Sequence, residues 1–350
     1  MDTKKLPSRF INQLNHLSEE AIGKNSAEID GRFLNHLDNC WKIILMDNFF
    51  RTDLSQTPAE IKIKSQKNKL EIEIDKDCNL KKPVVFYFFT SEKSRQHILK
   101  TTVNIKVNAC SSLSILEKHI HLGEVKDNYG INCSNNFLVE QNSELQFIRY
   151  WQGGEGSLLL TDLTAELKRD ARLHSFTLTE GGNLTHHQIL VNMPQKGADT
   201  QVHGLYNLNK NQHAEHFSKM NHLKDHTYSN QLFKGILQDE SVGMYTGDIK
   251  IHPQAREVEA NQLNRNLLMG KKAHALARPE LNIEMDDVKC SHGVTVGQLM
   301  EEENFYLQAR GIKEDRAQKL LLSAFARDVL LKIPHKDIRR HLFLNMENPC

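Results

Sequence analysis

Apolar and polar residues alternate strictly in Val103-Asn104-Ile105-Lys106-Val107, and the same pattern governs residues 61–63 and 70–74. A period of two is typical of a β-strand that buries one face and exposes the other. Stretches of this kind continue to about residue 251, and no helical pattern of ten or more residues separates them. The central part of the chain is therefore predicted to be almost entirely β-structure.

Small or polar residues introduce many of these strands, at Ser112, Ser143, Ala171 and Ala198. The intervals between these four positions are similar but unequal, so they do not form a strict repeat. They suit a solenoid whose coils each hold two or three short strands. The sequence therefore predicts a mainly β fold, in which a central right-handed β-helix spans residues 59–299.

Helical periodicity appears on both sides of this core, in an N-terminal region (residues 1–58) and a C-terminal region (residues 300–350). The C-terminal region is predicted to hold a helix over 301–310 closed by Gly311, a second helix ended by Pro334, and a third over 336–344. The apolar stripes are Phe10, Leu14 and Leu17; Phe33, Leu37, Trp41, Ile44 and Leu45; and Ala317, Leu320, Leu321, Ala324 and Phe325.

Composition excludes several functional classes. The 45 basic and 44 acidic residues lack the basic excess of a protein that neutralises nucleic-acid phosphates. A hydrophobic content of 39% rules out a disordered acidic chain. The longest apolar run, residues 84–89, is far shorter than the ~20 residues of a membrane span, and residues 1–7 lack a signal-peptide core. We therefore expect a cytoplasmic protein, with its six scattered cysteines reduced.

The sequence contains no standard catalytic fingerprint, whether GxGxxG before a helix, GxxxxGK[ST], GxSxG or HExxH. Its compositional oddity is eighteen histidines, several of them clustered with carboxylates. The cluster consists of His213, Glu215, His216, His222, Asp225 and His226. Imidazoles and a carboxylate are ligands of zinc and non-haem iron, so a metallohydrolase is one alternative function. The spacing is not diagnostic, because His213 and His216 face opposite sides of a strand.

The stretch Asp286-Asp287-Val288-Lys289-Cys290-Ser291-His292-Gly293 carries more specific chemistry. A period of two places Cys290 and His292 on one strand face, with Cα atoms about 6–7 Å apart. Both can approach one soft or borderline metal ion, although a partner would have to supply the remaining ligands. The alternative is a buried cysteine beside a hydrogen-bonded histidine. Asp286 and Asp287 point to opposite faces and do not form the carboxylate pair of a glycosidase.

This stretch closely resembles the signature of SufD subunits of the SUF iron–sulfur cluster assembly machinery. The resemblance extends from about residue 203 to residue 329 and includes residues 266–270 and 305–312. Residues 271–274 lack the cysteine of SufB-like sequences, and Cys290-Ser291-His292 replaces their Glu-His-Glu, so the chain sorts with SufD. Three residues depart from the family pattern: Asn282 for glutamate, Val294 for alanine and Arg256 for glutamine.

The resemblance implies a non-enzymatic scaffold subunit with a central β-helix flanked by helices. Such subunits pair with SufB through the β-helix and bind the SufC ATPase through the C-terminal helices. No permanently bound cofactor is implied, only transient iron or a nascent cluster near Cys290 and His292 at the SufB interface. The SufC-docking region maps onto residues 306–329, with predicted contacts at Tyr306, Arg310, Gly311 and Phe325. A SufB-like scaffold paralogue and a homodimer of the isolated chain stay open as alternatives.

Overall fold

The computed structural model describes Leu17, Leu37, residues 39–299 and residues 301–347. Nineteen β-strands and three α-helices lie in this part of the chain. The strands are β1 (Trp41–Met46), β2 (Phe49–Phe50), β3 (Ile61–Gln66), β4 (Lys69–Ile74), β5 (Val84–Thr90), β6 (Ile98–Val107), β7 (Ser112–His121), β8 (Tyr129–Val139), β9 (Glu144–Gly153), β10 (Ser157–Leu167), β11 (Arg172–Gly181), β12 (Leu184–Met193), β13 (Asp199–Leu208), β14 (His213–His222), β15 (Tyr228–Leu237), β16 (Val242–Ile251), β17 (Val258–Leu268), β18 (His274–Ile283) and β19 (Val288–Gln298). The predicted helices around Phe10 and Phe33 lie outside the described residues.

The strands alternate between two sheets, so each turn of the chain adds one strand to each of the two sheets. The first sheet has the order β2-β1-β5-β7-β9-β11-β13-β15-β17-β19, and the second has the order β3-β4-β6-β8-β10-β12-β14-β16-β18. Neighbouring strands are parallel except in the pairs β1–β2 and β3–β4. The result is a β-solenoid of about eight turns, which confirms the predicted β-helix.

One corner of the solenoid has the same backbone conformation in successive turns. A residue with a φ between 51° and 78° occurs there once in each turn. These residues are Asp77, Cys110, Asn142, Asp170, Gly197, His226 and Glu257. Each donates its backbone N–H to a carbonyl of the next turn, as Asn142 does to Arg169 at 3.0 Å. The four predicted turn residues follow these corner residues by one or two positions, so the turn prediction is confirmed.

Apolar side chains fill the lumen between the two sheets. One buried cluster runs from Ile43 in the first turn to Ala273 near the last, and it includes Phe147, Trp151 and Tyr206. Because successive side chains of a strand point to opposite faces, every second residue of each long strand enters this lumen. The alternation that predicted the strands is therefore the pattern of lumen and outer positions.

The helical stripe predicted over Trp41, Ile44 and Leu45 is wrong, because these residues belong to β1, which pairs in parallel with β5. Leu45 faces the lumen, whereas Ile44 packs on the opposite side of the sheet, beneath the C-terminal helices. A strand that is buried on both faces carries a continuous apolar run, and such a run cannot be distinguished from a buried helix by its period.

The C-terminal helices are α1 (Glu301–Ala309), α2 (Glu314–Leu330) and α3 (Lys336–Glu347), and Gly311 follows α1 with a φ of 84°. The three predicted helices are thus confirmed. The predicted stripe of α2 is partly wrong, since Leu320 and Ala324 are exposed, whereas Ala326, Val329 and Leu330 are buried. The reason is that the C-terminal half of α2 packs on the outer face of the first sheet. No helix in the described ranges is long and apolar enough to cross a membrane.

Candidate functional site at the open end of the solenoid

The last turn of the solenoid, formed by β18 and β19, presents two open strand edges. Neither strand has a further neighbour on its outer side in the part of the chain that the structure describes. Large apolar side chains are exposed along both strands: Leu276 and Ile283 on β18, and Val294 and Val296 on β19. An edge strand with unpaired backbone groups and exposed apolar residues is a surface on which another chain can add strands.

Cys290 and His292 lie on one face of β19, as the sequence predicts, and this face is turned to the lumen. They stand opposite Ala260 and Gln262 of β17, respectively. Cys290 is half-buried against an apolar cluster that includes Ala260, and burial raises the pKa of its thiol. His292 is exposed at the mouth of the lumen and makes no side-chain hydrogen bond within residues 39–299 and 301–347. The structure therefore brings a thiol and a free imidazole to one open surface.

This pair of side chains is an incomplete metal site. A thiolate and an imidazole are suitable donors for a soft or borderline transition metal ion, but such an ion takes four or more ligands. Among the described residues, no group of three or more histidine, cysteine and acidic side chains is arranged to hold a metal ion. Any ion bound by Cys290 and His292 would need further ligands from outside this part of the chain.

The histidine cluster of residues 213–226 is dispersed by the fold, so the metal site considered there is not formed. His216 and His222 point into the lumen, where burial lowers the pKa of each to about 3. His213 lies on the outer face of β14 and contacts the Glu215 carboxylate at 3.1 Å. His226 is at the solenoid corner, 3.3 Å from the Glu257 carboxylate. The alternation of strand faces separates these side chains, as the spacing of His213 and His216 indicated.

The residues predicted to dock the ATPase occupy both sides of the helical region. Tyr306 is exposed on α1, and Arg310 donates a hydrogen bond to its hydroxyl at 2.7 Å while its guanidinium lies 5.0 Å from the ring centre. Gly311 closes the same end of α1. Phe325 is half-buried on α2, facing Lys234 of the first sheet. Of the residues predicted to contact the ATPase, the exposed ones therefore lie at the end of α1, close in sequence to Phe305, which is 73% exposed.

A cleft of about 470 Å³ separates α1 from the open end of the solenoid. Its walls come from the end of β17 at Leu268, from β19 at Gln298, and from Phe305 and Gln308 of α1. The helical region and the edge strands are thus neighbouring surfaces. A protein bound to α1 would lie close to the strands that carry Cys290 and His292.

Two polar features of the lumen were not predicted from the sequence. The first is a buried ion pair, in which Arg149 Nε lies 2.5 Å from Glu117 Oε1 and His119 Nε2 lies 2.8 Å from the same oxygen. The second is a row of amides ending at the site, in which Gln231, Gln262 and His292 stand one above the other on successive turns. The sequence contains a signal for both, namely a polar residue that shares a strand face with an apolar one: Glu117 follows Ile115, Arg149 lies between Phe147 and Trp151, and Gln231 precedes Phe233.

The architecture defines a class of protein: a β-solenoid whose last described turn has open strand edges, a cysteine–histidine pair on that turn, and a helical region beside it. Residues 88–325, more than half of the chain, match the SUF system FeS cluster assembly, SufBD core domain. The chain belongs to this SufBD family.

Named relatives extend the similarity over most of the chain. It is 30% identical over 216 residues to the iron–sulfur cluster assembly protein SufD of Escherichia coli, a match that covers 62% of this chain and 51% of that protein. An iron–sulfur cluster assembly SufBD family protein of Synechocystis is 25% identical over 301 residues, covering 83% and 66%. The chloroplastic protein ABCI7 of Arabidopsis thaliana is 27% identical over 281 residues, covering 77% and 58%. The chain thus matches about half to two thirds of the length of these relatives.

Proposed function

We propose that this chain is a non-catalytic accessory subunit of iron–sulfur cluster assembly, of the SufD type. The open end of the solenoid carries the proposal, because it exposes two strand edges, four large apolar side chains and the Cys290–His292 pair on one surface. We propose that a SufB subunit adds to this end. A solenoid of the same kind would offer matching strand edges and could supply the metal ligands that Cys290 and His292 lack.

We further propose that the SufC ATPase docks on α1 and the start of α2. The exposed Phe305, Tyr306 and Leu320 support this placement, because large exposed apolar side chains in one region are typical of a protein interface. Iron, or a nascent iron–sulfur cluster, would be transient cargo at the SufB interface and not a resident cofactor. Cys78, Cys110, Cys133 and Cys290 are free thiols, which supports the proposal of a reducing, cytoplasmic location.

Co-expression of the chain with the SufB and SufC proteins of its own organism tests the partner assignment. We expect a complex that contains all three subunits and survives size-exclusion chromatography. Failure of the three well-folded proteins to associate would overturn the assignment. The isolated chain should contain no stoichiometric zinc or iron by elemental analysis, whereas the metallohydrolase alternative requires it.

A double variant, Cys290→Ala with His292→Ala, tests the role of the pair. We expect the complex to assemble normally but to yield less cluster, measured as iron and acid-labile sulfide per complex. The matched control is Cys110→Ser with His226→Asn, which alters an exposed cysteine and an exposed histidine at the solenoid corner. Equal cluster yield from both double variants and the unmodified complex would reduce Cys290 and His292 to structural residues.

A further inference from the structure

Gln262 occupies the lumen directly below His292. It lies in β17 opposite His292 in β19, so the two side chains project from successive turns on the same face. Adjacent strands are about 4.8 Å apart, so the ends of two long side chains on neighbouring strands can approach to hydrogen-bond distance. Gln262 is 2% exposed, whereas His292 is exposed at the mouth of the lumen. The glutamine is therefore a buried group beneath a solvent-facing ring.

The amide of Gln262 has unused hydrogen-bonding capacity. One turn below, the amide oxygen of Gln231 accepts bonds from Ser218 Oγ at 2.5 Å and from the Tyr245 hydroxyl at 3.2 Å. The amide of Gln262 lies beside the same hydroxyl, yet neither its oxygen nor its nitrogen makes a hydrogen bond of ordinary geometry in the described chain. A buried polar group without a hydrogen-bond partner destabilises the fold, so a further partner is expected.

The lumen around Gln262 is shaped to keep the amide in place. Gly247 of β16 lies against Gln262 Nε2, and a methyl group added at Gly247 would collide with that nitrogen. On the final turn, Ala277 and Pro279 follow Tyr245 and Gly247 in the second sheet, and neither offers a polar side chain. Directly above Gln262 in its own sheet, the final turn places the His292 imidazole, which does.

We propose that Gln262 is a positioning residue: a small rotation of the exposed His292 ring, which makes no side-chain hydrogen bond in the described chain, lets one ring N–H donate to the Gln262 amide oxygen. This bond fixes the tautomer of His292 and directs the lone pair of its other ring nitrogen out of the open end. The proposal deepens the proposed function and, as regards metal binding, rests on it. An imidazole that ligates a soft or borderline transition metal ion is commonly oriented by an acceptor on its second nitrogen, and removal of such acceptors lowers affinity about 10–100-fold.

Three variants separate positioning from general stability. Gln262→Met removes the amide while keeping the length of the side chain, and Gln262→Glu keeps an oxygen acceptor at the same place. Gln231→Met is the matched control, because Gln231 is equally buried in the same row but stands one turn farther from His292. All are made in the full chain, and urea unfolding shows that each is folded before it is compared.

The first readout is the NMR signal of the His292 ring in chain labelled with ¹⁵N-histidine, recorded at a pH where the imidazole is neutral. The variant His292→Asn identifies this signal. We expect one protected ring N–H in the unmodified chain, in Gln262→Glu and in Gln231→Met, and its loss in Gln262→Met. The proposal is overturned if the His292 signal is the same in Gln262→Met as in the unmodified chain, or if Gln231→Met also abolishes it.

Titration with cobalt(II), followed by its absorption spectrum in the complex with SufB, provides the second readout. We expect Gln262→Met to bind cobalt at least tenfold more weakly and Gln231→Met to bind within twofold of the unmodified complex. If no form bound cobalt but the ring N–H of His292 still depended on Gln262, the proposed metal-binding role of Cys290 and His292 would be refuted. The positioning of His292 by Gln262 would still stand.

Discussion

The ammonium nitrogen of Lys234, in β15, lies 2.7 Å from the backbone carbonyl oxygen of Phe325 in α2 and 4.3 Å from the centre of the Phe325 ring. The same ammonium pairs with the Asp328 carboxylate at 2.5 Å, and the lysine side chain is only 4% exposed. A buried ammonium is stable when its hydrogen bonds and charge are compensated, and here α2 supplies the compensation. Lys234 therefore anchors the helical region to the sheet that also contains β19.

Lys234→Met should loosen α2 without disturbing the solenoid. The substitution removes the charge-assisted hydrogen bond to the Phe325 carbonyl, which destabilises the docked helix by about 1–2 kcal/mol. Loss of the ion pair with the half-exposed Asp328 adds little to this cost. Amide hydrogen exchange in residues 326–342 should accelerate roughly tenfold, with exchange in β6 to β12 unchanged. Lys219→Met, which removes a lysine paired with Asp248 on the second sheet, is the control. Unchanged exchange in α2 would show that apolar contacts alone hold the helix.

Arg149→Met should be among the most destabilising substitutions in the lumen. Burial alone would raise the pKa of Glu117, but the Arg149 charge and the His119 hydrogen bond hold this pKa well below its usual range. Removal of Arg149 leaves the carboxylate buried without its main counter-charge, at a cost of about 3–5 kcal/mol in the free energy of unfolding. Denaturant unfolding at pH 7 measures this loss.

The double variant Glu117→Gln with Arg149→Met is the informative comparison for this ion pair. It removes both charges, and the amide of the introduced glutamine can still bond His119 and Asn135, which contact Glu117 in the native chain. We expect it to be more stable than Arg149→Met alone. If the double variant were less stable than Arg149→Met, the destabilisation caused by Arg149→Met would come from lost packing and not from an uncompensated charge.

The sequence predicts the solenoid well because its signal is local. Strict alternation in residues 103–107 marks lumen and outer positions, and the turn residues mark the corners. The same rule places Cys290 and His292 on one face. It fails for β1, where Ile43 and Ile44 are both buried, on opposite sides of the sheet, and periodicity disappears.

Contacts between turns could not be predicted in this way. Glu117 and Arg149 are paired although they belong to different turns, and Gln262 stands beneath His292 from the preceding turn. The spacing of the corner residues differs from one turn to the next, so the register of any one turn against its neighbour requires the structure. A shift by one residue would move each of these side chains to the other face of its sheet.

The buried histidines should make the fold sensitive to mild acid. Burial lowers the pKa of His203, His216 and His222 to about 3, whereas a histidine in the unfolded chain titrates near 6.5. Between these values the unfolded chain binds protons that the folded chain does not. The free energy of unfolding should therefore fall as the pH decreases below about 6.5, by up to about 1.4 kcal/mol per pH unit for each histidine.

His216→Phe tests this origin of the acid sensitivity. Neither ring nitrogen of His216 has a hydrogen-bond partner in the described chain, and the ring lies among Tyr206, His187 and Phe233. The variant should be about 1 kcal/mol more stable at pH 7.5 and should show a shallower decrease toward pH 5, measured by urea unfolding. His226→Asn, at an exposed position, should leave the slope unchanged. Identical slopes for His216→Phe and the unmodified chain would assign the acid sensitivity to other groups.

Val296→Lys should weaken binding of the proposed SufB partner at the open end while leaving the isolated chain intact. Val296 is 48% exposed on β19, so a lysine there is tolerated by the fold, but a partner strand would have to bury its charge. We expect affinity for SufB to fall more than tenfold by calorimetry, with the thermal midpoint of the isolated chain within about 1 °C of the original. Val125→Lys makes the same change at a 65% exposed position in the loop between β7 and β8, and it should bind normally. Equal affinity of the two variants would mean that the partner does not contact β19, and the interface would then have to lie elsewhere on the solenoid.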